Sequence, residues 1–159
     1  MWRSKIIRLL LMSTVVAGIG ACNKDHRIWT KSVTLPGAEW EMRNTLIFQP
    51  DTPSLEGKTP RKLLMFVKYD ENANMTTLPL IVETESSVSG HEYSLDSIKL
   101  KLFDERGLPL GKGNFGIYEK TDTFNLRYQM VPGWTMAVKP ASMAEVPKGI
   151  IAFGIKILP

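Results

Sequence analysis

Ile98-Lys99-Leu100-Lys101-Leu102 alternates apolar and basic side chains over five consecutive positions. Successive side chains of a β-strand point to opposite faces, so a period of two puts the isoleucine and both leucines on one face and the lysines on the other. The stretch therefore reads as a half-buried strand. Leu63 to Val67 is instead a continuous apolar run ending in Lys68-Tyr69-Asp70, consistent with a strand buried on both faces. Leu80 to Thr84, Phe124 to Tyr128 and Gly149 to Ile157 supply three more strands, and Trp40 to Phe48 another, ending at Gln49-Pro50. Turn-forming chemistry separates them at Pro50 to Pro53, Asp70 to Asn74, Ser86 to Gly90, Glu105 to Gly107 and Pro132-Gly133. The spacing predicts an all-β fold, an antiparallel β-sandwich of about seven to eight strands rather than a βαβ unit. The one helical candidate is Ser142 to Val146, a turn or two between Pro140 and Pro147.

The chain begins in a different register. Arg3, Lys5 and Arg8 precede an apolar run from Ile6 to Ile19, and Gly20-Ala21 leads into Cys22. A basic n-region, a short apolar h-region and small residues before a cleavage point make a signal peptide. The run falls short of the ~20 apolar residues a membrane-spanning helix needs. Cys22 is the only cysteine, so no internal disulfide can form. Its place after the small pair makes it the expected lipidation site of a bacterial lipoprotein, an acylated, palmitate-bearing anchor. Several acyl chains, at ~0.8 kcal/mol per buried methylene, hold a protein on a membrane stably where one chain does not. The expected organisation is a cleaved signal over residues 1–21, a lipidated polar tether over 22–27 and a β-sandwich domain over 28–159. In the tether, Lys24-Asp25 is similar to the short Lys-acidic signals that route some lipoproteins of the Bacteroidota to the cell surface. Either the periplasmic face of the outer membrane or the cell surface is then its location.

The charge balance changes once the signal is removed. The n-region takes three of the 20 basic residues and none of the 16 acidic ones, leaving 17 against 16. The sequence pI of about 9.2 is thus no nucleic-acid footprint.

Chemical motifs are sparse. Gly111-Lys-Gly-Asn-Phe-Gly116 is a literal Gly-x-Gly-x-x-Gly, but dinucleotide sites need it between a strand and a helix opening. Ile117 to Asp122 does not open a helix, and the 43 residues after Gly116 lack every further kinase signature. The glycines read as a structural hairpin or bulge with close backbone packing. Of the two histidines, His26 falls in the tether and His91 in a polar turn beside Glu92, and no serine stands in a nucleophile elbow. Glu83/Glu85 and Asp104/Glu105 are the nearest approach to a metal or acid–base pair, and Glu83 with Glu85 reads as one solvated strand face. No catalytic, cofactor-binding or metal-binding residue is assigned, and no enzymatic activity is expected. Trp29, Trp40, Tyr69, Tyr93, Tyr118, Tyr128 and Trp134 are expected in core or edge packing, with stacking of sugars on an exposed ring as the alternative.

Asp96 to Asp104 is followed by Arg106-Gly107, Leu110-Gly-Lys-Gly113 and Ile117-Tyr118-Glu119. In these elements the second half of the chain resembles GldH, a gliding-motility lipoprotein family of the Bacteroidota. Lys148 to Ile157 is similar to the family's closing strand, and Trp40 and Phe48 sit where an early Trp and Phe are expected. The resemblance implies an accessory part of an envelope machine, tied to adhesin movement and the associated secretion system, acting through other envelope proteins and without catalytic residues. A surface module for glycan or another extracellular ligand is the alternative, and a hydrolase the third possibility.

Overall fold

The computed structural model describes residues 29–50, 62–86, 92–124, 134–141 and 144–158. The lipoprotein signal, Cys22, the tether, His91 and Tyr128 lie outside them. The described residues form nine strands: β1 Trp29–Thr34, β2 Leu46–Phe48, β3 Lys62–Asp70, β4 Thr77–Ser86, β5 Glu92–Lys101, β6 Lys112–Asn114, β7 Ile117–Phe124, β8 Trp134–Pro140 and β9 Ile150–Leu158. Two antiparallel sheets pack as a sandwich, one ordered β1-β9-β3-β7-β6 and the other β2-β8-β4-β5. The expected all-β sandwich is the fold. Its count passes eight because β2 and β6 are three-residue strands.

Burial follows the predicted alternation. Leu78, Leu80, Val82 and Thr84 of β4 face inward, as do Trp134, Met136 and Val138 of the neighbouring β8. From the other sheet come Leu63, Met65, Val67 and Tyr69 of β3 and Phe153, Ile155 and Ile157 of β9. Phe153 joins the layers, with its ring 5.2 Å from Trp40 and 5.9 Å from Phe48. Such tilted and edge-on ring pairs add to the burial itself.

Two expected elements change shape. Trp40 to Phe48 is not one strand, and only Leu46–Phe48 pairs, with Val138 to Met136 of β8. Trp40 instead drops into the core, its backbone N–H donating to Pro147 O, while its indole N–H donates to Asn44 O at 2.8 Å across a turn. A buried indole needs an acceptor, and that need breaks the strand here. Of the helix expected over Ser142 to Val146, Ser142 and Met143 lie outside the described residues, and Ala144 and Glu145 form a bend. Pro147 cannot continue a helix, and the chain beyond it turns at Gly149, where φ is 75°. Of the strand expected over Phe124 to Tyr128, only Phe124 is described, as the end of β7. The tracts that become β1, β6 and most of β7 carry no strong apolar alternation, whereas β8 alternates Trp134, Met136 and Val138 with Thr135, Ala137 and Lys139; none of the four was anticipated as a strand.

The register defines two ends of the sandwich. At one end β1 begins, with Trp29 opposite Ile157 and, across β9 and β3, in line with Leu63 and Phe124. The undescribed segments 51–61, 87–91 and 125–133 also join strands at this end. At the other end lie the β3–β4 turn, the crossover from β5 to β6, and the β6–β7 hairpin.

The side formed by β5 and β7 carries polar groups directed inward. Ser94 Oγ donates to Asp96 on β5 at 2.8 Å, and Lys120 pairs with Asp122 on β7. Among the described residues β5 is an edge strand and β7 is flanked by β6 only over Ile117 to Glu119, and inward-pointing charge along such an edge discourages pairing with a further strand.

Candidate interaction surface

After β5 the chain crosses from the four-stranded to the five-stranded sheet through Leu102 to Gly111. Leu102 and Phe103 are buried, and their backbone N–H groups both donate to Thr76 O. Asp104 then shapes the turn. Its Oδ1 accepts the backbone N–H groups of Arg106 and Leu108, each at 2.8 Å, while its Oδ2 faces the Arg106 guanidinium at 3.3 Å. The Leu108 hydrogen bond, followed by those from Arg106, holds the Asp104 carboxyl below the usual aspartate range. The segment returns on itself: Asp104 N–H donates to Leu108 O, and Leu110 N–H donates to Leu102 O. Asp104 is thus fully used as a turn scaffold.

Tyr69 fastens this crossover to the sheet. Its hydroxyl donates to Leu102 O at 2.7 Å and accepts Gly111 N–H at 2.9 Å, and its ring lies edge-on to Phe103. Burial pushes its phenol pKa upward. A fully buried hydroxyl with both partners supplied locks the two ends of the crossover to β3.

The literal Gly-x-Gly-x-x-Gly is the hairpin between β6 and β7. Its two-residue loop, Phe115-Gly116, has φ of 51° and 75°. Positive φ at both positions is the signature of a type I′ turn, which favours Asn-Gly. Gly113 allows the strands to approach, since a Cβ there would lie 2.0 Å from Ile117 O. Gly116 O accepts the backbone N–H of Glu71, tying the hairpin tip to the β3–β4 turn. The glycines therefore serve backbone packing, as their reading in the sequence anticipated.

Apolar exposure concentrates on this end. Among the described residues seven large hydrophobic side chains are exposed, and four of them fall between Leu108 and Ile117. Leu108 is 52% exposed, Leu110 44%, Ile117 47% and Phe115 97%. Arg106, Lys112, Glu71 and Glu105 are exposed around them. Phe115 escaped the sequence reading, which weighed tryptophans and tyrosines; the available signal was a phenylalanine directly before glycine in a glycine-rich hairpin.

The remaining candidates disperse. Trp40, Tyr69 and Trp134 are buried, and Trp29 and Tyr118 pack half-buried against the core. Tyr93 is exposed on the outer face of the four-stranded sheet, opposite Glu85 in the β4–β5 register. Glu83 and Glu85 share that face as expected, with Glu83 paired to Lys139 at 2.8 Å. The hydrogen bond from this pair raises the Lys139 pKa. Among the described residues, no group of three or more His, Cys, Asp or Glu is placed to hold a metal ion. Nor is any described helix long and apolar enough to cross a membrane.

The described residues thus form a two-sheet antiparallel β-sandwich whose exposed apolar side chains gather at one end. The family model of the GldH lipoprotein matches residues 27–157, and the chain belongs to that family. Comparisons with curated proteins and with solved structures give no match.

Proposed function

We propose that this protein is an outer-membrane lipoprotein anchored through Cys22, working by contact with other envelope proteins as an accessory of gliding motility and its associated secretion system, without catalysis of its own. The observation that carries the proposal is the family match, which starts at residue 27, just after Cys22, and spans the whole β-domain. The order of n-region, h-region and Gly20-Ala21-Cys22 supports the anchor, and the apolar end of the sandwich supports action by contact. Mass spectrometry of the membrane fraction tests the anchor. The expected product starts at Cys22 and carries acyl chains; an unmodified Cys22, or residues 1–21 still attached, overturns it. Cys22→Ala should leave precursor or protein released from the membrane.

A second reading, a surface module for glycan, is favoured by one observation: Tyr93 is 59% exposed on a face that also carries the Lys139–Glu83 pair. An aromatic face beside polar groups is what sugar stacking uses. Glycan-array binding abolished by Tyr93→Ala would establish it.

A further inference from the structure

We infer that the β6–β7 hairpin tip is the docking element of this domain, with Phe115 as its anchor, and that its occupant is another protein presenting an apolar socket with a mixed-charge rim. The inference deepens the contact reading proposed above and rests on it for the position of the lipid anchor.

Three properties of the tip converge. Phe115 is almost wholly exposed, and its neighbours Leu108, Leu110 and Ile117 extend the apolar surface along one ten-residue stretch. A protruding aromatic with apolar flanks is the chemistry of a binding anchor, because one ring entering a socket removes much apolar area from water. Phe115 also holds φ at 51°, a conformation that bulky L-residues rarely adopt and that asparagine or glycine would take at lower cost. Folding alone gives no reason for phenylalanine there, since its ring touches no core. Finally, the tip is held before any partner arrives. Tyr69 clamps Leu102 and Gly111, Asp104 shapes the turn, and the Glu71 N–H to Gly116 O bond fixes the hairpin end. A pre-organised anchor loses little freedom on binding.

The position of the tip chooses the occupant. Trp29, where the anchored chain enters the sandwich, lies at the far end. The eight residues of β7 from Ile117 to Phe124 alone separate the two ends by about 24 Å. The tip thus stands at the end of the sandwich opposite Trp29, from which the chain leads back to Cys22. The charge around the tip is mixed, with Arg106 and Lys112 against Glu71, Asp104 and Glu105. An anionic bilayer would call for a basic excess. An apolar centre with a mixed-charge rim is instead the anatomy of a protein interface. Strand addition there has only the three-residue β6 edge to extend, and beyond it β7 carries inward-facing Lys120 and Asp122.

The test compares the full-length wild type with Phe115→Asn, Ile47→Asn and Cys22→Ala in native membranes. Each is fractionated, solubilised in mild detergent and sedimented, and photo-crosslinkers are placed at positions 115 and 47 in parallel. Wild type and Ile47→Asn should sediment as a larger complex. Phe115→Asn should sediment as the free lipoprotein, remain in the membrane fraction, and melt at the wild-type temperature or above. The crosslinker at 115 should give an adduct with a different protein, lost when the complex is lost, and position 47 should not give that adduct. An unchanged complex in Phe115→Asn overturns the inference, as does a lowered melting temperature, which would make the ring structural. An adduct between two copies of this chain, or Phe115-dependent binding of the Cys22→Ala chain to phosphatidylethanolamine–phosphatidylglycerol vesicles, assigns the tip to those occupants and overturns it too. Failure of the anchor reading looks different: wild type and Phe115→Asn would both leave the membrane fraction while their difference in sedimentation persisted.

Discussion

The tripeptide Leu-Pro-Leu occurs twice, at 78–80 and at 108–110, with opposite fates. In β4 both Leu78 and Leu80 are 0% exposed, while Leu108 is 52% and Leu110 44% exposed. Both copies are pinned by backbone hydrogen bonds: Pro79 O accepts Ala141 N–H, and Leu110 N–H donates to Leu102 O. The difference is what lies over the side chains. The first copy begins a strand that β5 and β8 flank and the opposite sheet covers. The second runs through the crossover at the end of the sandwich, where no layer of the described residues lies above it. Local composition gives the two copies equal capacity for burial; a neighbouring layer decides whether it is used. At the crossover end the same chemistry stays exposed.

Paired truncations give the hardest test of that contrast. Leu80→Ala should destabilise the fold by about 2–5 kcal/mol through lost burial and a cavity. Leu110→Ala should stay within about 0.5 kcal/mol, as exposed substitutions do. Denaturant melts of both variants measure this, and equal losses would erase the distinction between the two regions. Tyr69→Phe probes the joint between them. Removing the hydroxyl leaves Leu102 O and Gly111 N–H without that partner, at a cost of about 1–3 kcal/mol. Hydrogen exchange should show faster exchange at Gly111 while the centre of β4 stays protected; uniform acceleration would mean that the crossover and the core open as one unit.

The smallest effect is expected from pH. Asp104 is held below its ordinary value of 3.8 in the folded chain, so its contribution is present above that value and is lost as pH falls through the lower folded value. Acid should loosen the Leu102–Leu110 turn, with exchange at the Arg106 and Leu108 amides rising over that window. Asp104→Asn should reduce the acid-dependent part of that rise. A pH response unchanged in Asp104→Asn would assign the loosening to another carboxylate.

Much of the architecture was legible in the chain because burial in a sandwich imposes a period of two. The apolar runs at Leu63 to Val67 and Gly149 to Ile157 mark β3 and β9 closely, while the alternation at Ile98 to Leu102 marks only the last part of β5, which begins at Glu92 and ends at Lys101. β7 escaped for a physical reason. Its inward positions include Lys120 and Asp122, which satisfy one another at the edge of the sheet and so break the apolar alternation. Trp40 misled in the other direction, since its side chain belongs to the core while its backbone belongs to a turn. Of the candidate surface, the glycine hairpin was readable from composition, but the exposure of Phe115 was not.

The chain by itself determined the strand periodicity, the turns and the family, because those depend on the local order of side chains. The lipoprotein pattern before Ile28 is likewise a property of local order. Tertiary structure alone decided which Leu-Pro-Leu is covered, which carboxylate becomes a turn scaffold, and where Phe115 stands. Each of those depends on distant segments, the opposite sheet for Leu80, the Leu102–Leu110 closure for Asp104, and Glu71 for the hairpin tip. Covering a side chain takes a second layer, and only the folded topology supplies one.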